Sequence, residues 1–340
     1  MSILYLGTRG AGSDLTHALL EKFNNSSEVK LKLLLFSGRN ESLSSLDLGR
    51  VFKLPKSRIK QTFFIYISLC SRKNQNRILE AIGKVVIIPM SSPQDYRLSR
   101  VLQSHGVKVI RVIHDLERHK GEIWPNSIII KRHIKYSDQI ILASHSSLKS
   151  LNSRYLHKTI VLPNLSIPLL KDSSGKEMPH SDILFVGRMR VYKGIELLLE
   201  AWSLIQETKF KNLKLVVAGE GKIGRKKLPH VTYIARWLTS GEIIDLIEKA
   251  RVVVFPYTQA SQSGIIPIVQ RFNKQIVISN LPILLEQCKE YPNTVVFEAN
   301  NAHDLAVAIR TALINPNVEY KSLEEEWIDA VVLFLQSFTK

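Results

Sequence analysis

Two cysteines in 340 residues, Cys70 and Cys288, stand far apart and outside any CxxC pair. With no clustered histidine partners they leave no material for a disulfide framework or a zinc site, and a reducing, cytoplasmic setting is expected. The first apolar stretch, Ser2-Ile3-Leu4-Tyr5-Leu6, has no basic n-region and is too short for a signal peptide, so it predicts a buried strand and argues against secretion. No low-complexity tract occurs, and 13 prolines against 45% hydrophobic and 23% charged residues describe a folded chain, not a fibrous or disordered one. Dinucleotide oxidoreductases are excluded for want of a Gly-x-Gly-x-x-Gly with a downstream ribose-binding acid, because the spacing of Gly7, Gly10 and Gly12 does not match.

Acidic residues are scarce, 30 against 47 Lys and Arg, and the net charge of +17 predicts association with something polyanionic: nucleic acid, an acidic membrane surface or phosphate-bearing substrates. Arg50, Lys53, Lys56, Arg58, Lys60, Arg72, Lys73 and Arg77 fall in one stretch without Asp or Glu, around the apolar run Phe63 to Cys70. That run is too short to span a bilayer, which takes about 20 helical residues. It reads either as an interfacial segment on an anionic membrane or as a buried element with a solvated basic edge.

A chain of 340 residues exceeds what one hydrophobic core serves, so two domains of roughly 150 residues are expected. Short β-branched runs at Ser2 to Leu6, Leu31 to Phe36, Val85 to Pro89, Val107 to Ile113 and Gln139 to Ala143 alternate with helical stretches. This is the pattern of a parallel sheet wound with helices. Turn formers and charge between Pro163 and His180 mark a linker, and the alternation restarts at Asp182 to Val186, Leu213 to Ala218, Val231 to Tyr233, Val252 to Phe255, Gln275 to Ser279 and Val295 to Phe297. The expected layout is an N-terminal domain 1–165, a linker 166–181, a C-terminal domain 182–320 and a terminal helix 321–340 packing back. Two doubly wound halves of this kind predict a ligand cleft between the carboxyl ends of their sheets.

The strongest chemical signal is Ile183-Leu184-Phe185-Val186-Gly187-Arg188-Met189-Arg190-Val191-Tyr192-Lys193-Gly194. A strand ends at glycine, two long cations follow five residues apart, and Gly194 precedes an amphipathic helix. Arg188 suits phosphate oxygens as a planar fork and Lys193 as a point charge, a pairing fit for a diphosphate whose charge grows as it leaves. Two more strand ends follow, Leu215 to Ala218 before Gly219-Glu220-Gly221, and Val252 to Phe255 before Pro256-Tyr257. The next loop, Thr258-Gln259-Ala260-Ser261-Gln262-Ser263-Gly264, offers small residues and backbone N–H groups at a helix start.

In order and spacing these three elements resemble the GT-B glycosyltransferases, specifically family 4 (group 1) and its relatives, over roughly residues 183 to 290. The resemblance implies an α/β GT-B fold, two Rossmann-like doubly wound domains facing each other across a cleft. It further implies transfer of a hexose, with retention, from a nucleotide-diphosphate sugar of UDP or GDP type to a glycan or lipid-linked acceptor in surface polysaccharide biosynthesis. The donor would be a co-substrate, with no other cofactor, and the sequence has no DxD-type carboxylate pair for a metal. By resemblance Arg188 and Lys193 bind the diphosphate with Gly187 and Gly219, backbone amides of Gln262, Ser263 and Gly264 hold phosphate or sugar beside Gln259 and Ser261, and the segment around Arg236 meets the base. Where the family carries two glutamates eight positions apart, this chain has Ser261 and Val269, which points to a subgroup with its own sugar reading or to a decayed enzyme. Glu286 stands where the family has another acid.

In the N-terminal half, Gly10 and Gly12 follow the first strand, where a glycine turn admits a phosphate or serves as a plain turn. His114 and Asp115 stand where an apolar strand breaks into Leu116-Glu117-Arg118-His119, and the resemblance sets the pair toward the donor sugar; a structural cluster is the alternative. Arg9, Lys53, Lys56 and His119 are the expected acceptor contacts, basic as a lipid-linked acceptor requires. His145 lies past another strand end, with Ser146 or Ser147 as the expected helix cap. A nucleic-acid or membrane-binding protein on the same scaffold is the alternative class. Phosphate-type features gathered at strand ends, without an RNA-binding signature, argue against nucleic acid.

Overall fold

The structure, a computed structural model, describes residues 2–5, 32–37, 51–53, 71–89, 91, 95–117, 127–162, 177–208, 210–221, 228–260, 263–321, 330, 331, 333, 334, 336 and 337. The described residues up to 162, with those of 330–337, form one compact unit, and 177–321 form a second.

The first unit is a seven-stranded sheet of β1 (Ser2–Tyr5), β2 (Lys32–Ser37), β3 (Val51–Lys53), β4 (Val85–Ile88), β5 (Lys108–Ile113), β6 (Gln139–Leu142) and β7 (Thr159–Val161). Its order is β3-β2-β1-β4-β5-β6-β7 and every pairing is parallel. Helices α1 (Arg72–Ala81), α2 (Asp95–Ser104) and α3 (Ser127–Lys135) join the strands. Val85–Ile88 is buried at every position, as a parallel strand covered on both faces must be, and this explains a continuous apolar run where an exposed sheet would alternate. Five strands lie where periodicity predicts them. The edge strands β3 and β7 are additional; three residues each are too few to carry a period. Lys53, read as part of a basic stretch, closes β3.

One charged residue sits inside this apolar layer. Arg111 of β5 is fully buried, and its guanidinium donates to Asp95 Oδ1 at 2.8 Å, Ser99 Oγ at 2.7 Å, Ser137 Oγ at 3.1 Å and Ser91 Oγ at 3.2 Å. His133 Nε2 lies 2.8 Å from the same Asp95 oxygen. The cluster pins α2 and α3 to the sheet.

The second unit repeats the scheme. Strands β8 (Ser181–Val186), β9 (Leu215–Ala218), β10 (Val231–Ile234), β11 (Ala250–Phe255), β12 (Gln275–Ser279) and β13 (Thr294–Phe297) form a parallel sheet in the order β10-β9-β8-β11-β12-β13. The helices are α4 (Ile195–Gln206), α5 (Ser240–Glu248), α6 (Ile266–Arg271), α7 (Pro282–Cys288) and α8 (Ala302–Ile314). Trp202, fully buried on α4, donates its indole N–H to Pro229 O at 3.0 Å, so the largest core side chain leaves no polar atom unpaired. In both sheets the strand order reverses beside the first strand. In the second unit the reversal lies between β8 and β11, where ligands of open α/β sheets bind.

Candidate functional site

Beyond the carboxyl ends of β8, β9 and β11 three loops are laid against one another. Gly187 donates to Ala218 O at 3.0 Å and Met189 to Glu220 O at 2.8 Å, extending the pairing of β8 with β9 beyond the strands. Gly219 has φ +142°, and a Cβ there would stand 1.9 Å from Gly187 O, so only glycine lets the two turns close. Gly194, at φ +68°, backs onto the third loop, with a Cβ position 1.7 Å from Pro256 O. Thr258 N donates to Tyr192 O at 2.8 Å. The two cations therefore ride on a segment fixed at both ends.

Arg188 is exposed and takes no hydrogen bond or ion pair among the described residues. Lys193 Nζ lies 3.7 Å above the ring centroid of Tyr257 and 5.3 Å from that of Tyr192. A ring face attracts a cation and fixes its place, so the ammonium is oriented by Tyr257. Tyr257 is buried, and burial holds its phenol well above the usual range, with Ser263 and the charge of Arg188 pulling weakly the other way. It stays protonated, and its hydroxyl shares a hydrogen bond with Ser263 Oγ at 3.2 Å.

Behind Ser263 stands Gln287 of α7, buried and doubly bonded to one residue. Its Oε1 accepts from Ser263 N at 3.0 Å and its Nε2 donates to Ser263 O at 3.2 Å. Gln270 Nε2 donates to Gln287 O at 3.1 Å. This corrects one expectation: the Ser263 amide, read as a phosphate donor, is spent on Gln287 inside the fold. Gly264 is half-buried, and its N–H takes no hydrogen bond among the described residues; Gln259 is exposed.

Arg236, expected near the base, grips both carboxylate oxygens of Glu242 with its guanidinium, at 2.8 and 2.7 Å, and donates to Trp237 O at 3.0 Å. Glu242 also closes the capping box of α5 with Thr239. The pair fixes the loop after β10 and leaves Trp237, 48% exposed, as its outward group.

In the first unit His114 follows β5, and its Nε2–H donates to Pro89 O at 2.9 Å, tying the end of β5 to that of β4. Burial lowers its pKa, opposed by the Pro89 bond and the Asp115 charge, so the ring is neutral with Nδ1 left as an acceptor. Neither Ser146 nor Ser147 is the N-cap of the turn Ser146–Ser150; His145 holds that place, and Ser144 Oγ just before it accepts from Ser147 N at 3.2 Å. Burial pushes the Cys288 thiol up to about 12, which makes it inert. Arg9, Gly10, Gly12, Lys56, His119, Ser261 and Gln262 lie outside the described residues, as do Phe63 to Cys70; of Lys53 only the backbone is described. Sequence reasoning missed Gln287 and Gln270, which no motif marks, and assigned no role to Tyr257 although the Pro256-Tyr257 step flagged its position.

Residues 166–330 match the family model for glycosyl transferases group 1. Sucrose-phosphate synthase from Thermosynechococcus elongatus superposes with a TM-score of 0.69 at 14% identity, over 100% of this chain and 98% of that one. Anabaena Alr3699/HepE in complex with UDP-glucose gives 0.69 at 14%, covering 99% of each. The UDP-GlcNAc 2-epimerase of Methanocaldococcus jannaschii gives 0.66 at 11%, over 99% and 100%. No curated protein sequence matches the chain. The fold is the GT-B fold of these structures, and the stretch that matches the glycosyl transferases group 1 is its second half.

Proposed function

We propose that the chain moves a hexose, with retention, from a UDP- or GDP-linked donor to a glycan or lipid-linked acceptor in surface polysaccharide assembly, and that the second unit holds the donor diphosphate. The observation that carries the reading is the pair of cations at the β8–β11 switch point, Arg188 with no carboxylate partner among the described residues and Lys193 on the face of Tyr257. A leaving diphosphate gathers negative charge as the glycosidic bond lengthens. Two preset cations stabilise that charge without reorganising, which is where charge stabilisation is most effective. The donor's own phosphate would assist removal of the acceptor proton on the same face of the sugar. Neutral His114 would accept a sugar hydroxyl at Nδ1 and so orient it, with no proton transferred to the ring. Arg9, Lys53, Lys56 and His119 remain the proposed acceptor contacts.

UDP is favoured because structural neighbours are described as complexes with UDP or UDP-glucose. The likeness to UDP-GlcNAc 2-epimerases supports a second reading, epimerisation of a UDP-sugar, against which the group 1 match weighs. Thermal stabilisation by UDP, GDP, ADP and dTDP, measured for the wild type, Arg188→Ala and Lys193→Ala, tests the donor site. A shift with one nucleotide, lost in both variants, upholds it, and no shift with any nucleotide overturns it. Release of an epimerised sugar from UDP-GlcNAc without acceptor would favour the second reading.

A further inference from the structure

Helices α2 and α3 of the first unit pack side by side, each with a clear inner face. Leu98, Ser99 and Leu102 of α2 and Ile130, His133 and Ile134 of α3 are buried. The outer face of α3 is a single stripe: Ile128, Lys131, Arg132 and Lys135 follow at the three- and four-residue steps that stack side chains on a helix, over about 10 Å. All four are exposed, Ile128 to 61%. Arg100 adds a fifth outward group from α2.

Among the described residues no carboxylate pairs with the cations of this face. Asp95 is the one carboxylate of the two helices, and it is fully buried against Arg111 and His133. Asp138, past the end of α3, is engaged by the Val109 N–H at 2.7 Å and faces Lys158. Three of the four outward cations are held by aromatic rings instead. Arg132 lies over Tyr96 at 5.1 Å and donates to its hydroxyl at 2.9 Å, while Arg100 and Lys135 lie over Tyr136 at 6.0 and 5.5 Å. Ring faces position cations and leave their charge to act outward.

We propose that this α2–α3 face docks on an anionic lipid surface. The cations are spread along a helix and do not converge, which suits an extended sheet of headgroups better than one phosphate. Ile128 at the head of the stripe supplies the apolar contact that an interfacial helix adds to its charges. Single-stranded nucleic acid is disfavoured, because binding it draws on aromatic faces for base stacking and here Tyr96 and Tyr136 are covered by cations. The inference is independent of the transferase reading and rests on a face built by tertiary packing, apart from the basic stretch at 50–77.

Co-sedimentation of the full chain with phosphatidylglycerol–phosphatidylcholine vesicles and with pure phosphatidylcholine vesicles tests it. Binding is expected to the former alone, falling as salt rises. Lys131→Gln/Arg132→Gln/Lys135→Gln should weaken it roughly a hundredfold, each lost cation contributing about fivefold. The equally charge-reducing Lys211→Gln/Lys214→Gln/Lys289→Gln on the second unit should bind as wild type, and so should the charge-preserving Lys131→Arg/Lys135→Arg, which guards against misfolding of the first variant. Equal weakening in the two triple variants would reduce the effect to net charge and overturn the assignment, as would no binding to anionic vesicles. Direct binding of a single-stranded RNA oligonucleotide to the wild type, lost in the α3 triple variant and tighter than binding to anionic vesicles, would reassign the face to nucleic acid.

Discussion

Replacing Gln287 with Leu preserves most of the side-chain volume and removes both hydrogen bonds to Ser263. Ser263 is 2% exposed, so its N–H and C=O would be left in a dry environment. A buried polar group without a partner costs about 1–3 kcal/mol, so the two together cost roughly 2–6 kcal/mol. For a unit of this size each kcal/mol lowers the melting temperature by about 2–4 °C, which predicts a fall of roughly 4 to 24 °C. The damage should also spread toward the phosphate loops, because Ser263 anchors Tyr257 and Tyr257 carries Lys193. Differential scanning fluorimetry with and without UDP reads both effects, and UDP stabilisation should shrink more than for a core substitution of equal cost elsewhere in the second unit. Gln287→Glu, which keeps an acceptor for Ser263 N but sets an oxygen against Ser263 O, should fall between. An unchanged melting temperature together with undiminished UDP stabilisation in Gln287→Leu would refute the clamp.

Gly194→Ala should destabilise the second unit more than Gly187→Ala in denaturant titration; both substitutions strain the backbone by about 1–3 kcal/mol, but only the first drives a Cβ into Pro256 O, while the second meets nothing within 4 Å. Asp95→Asn should cost about 3–5 kcal/mol, because the Arg111 guanidinium would stay buried without its carboxylate. The pKa of His114 is lower folded than unfolded, so the folded chain binds fewer protons just below the ordinary value of about 6.5. Stability of the first unit is therefore complete above that pH and declines as pH falls below it. His114→Gln, which can still donate to Pro89 O, should flatten that acid limb.

The two-domain α/β architecture was legible because parallel strands packed under helices leave short apolar, β-branched runs, and eleven of the thirteen strands coincide with such runs. The residues of the proposed donor site, Gly187, Arg188, Lys193 and Gly219, were legible as a motif because their spacing is local: a strand end, a turn and a helix start in consecutive sequence. Local sequence also required glycine near these turns, although the reason, a neighbouring carbonyl 1.7 or 1.9 Å from any added Cβ, is a contact between separate loops.

Partner choice among side chains was decided by tertiary structure. An arginine after a strand reads as a ligand contact until a carboxylate six residues on takes both its forks, as Glu242 does to Arg236. A serine amide in a loop reads as a phosphate donor until a glutamine 24 residues away occupies it. Arg111, in an otherwise apolar strand, gave no hint that it would be buried among Asp95, Ser99 and Ser137. Sequence determined which chain segments could bury themselves, since periodicity and turn chemistry act within a few residues. Only the fold decided which polar groups were consumed inside it and which remained for a ligand, because a hydrogen bond depends on distance in space and its partner can come from anywhere along the chain.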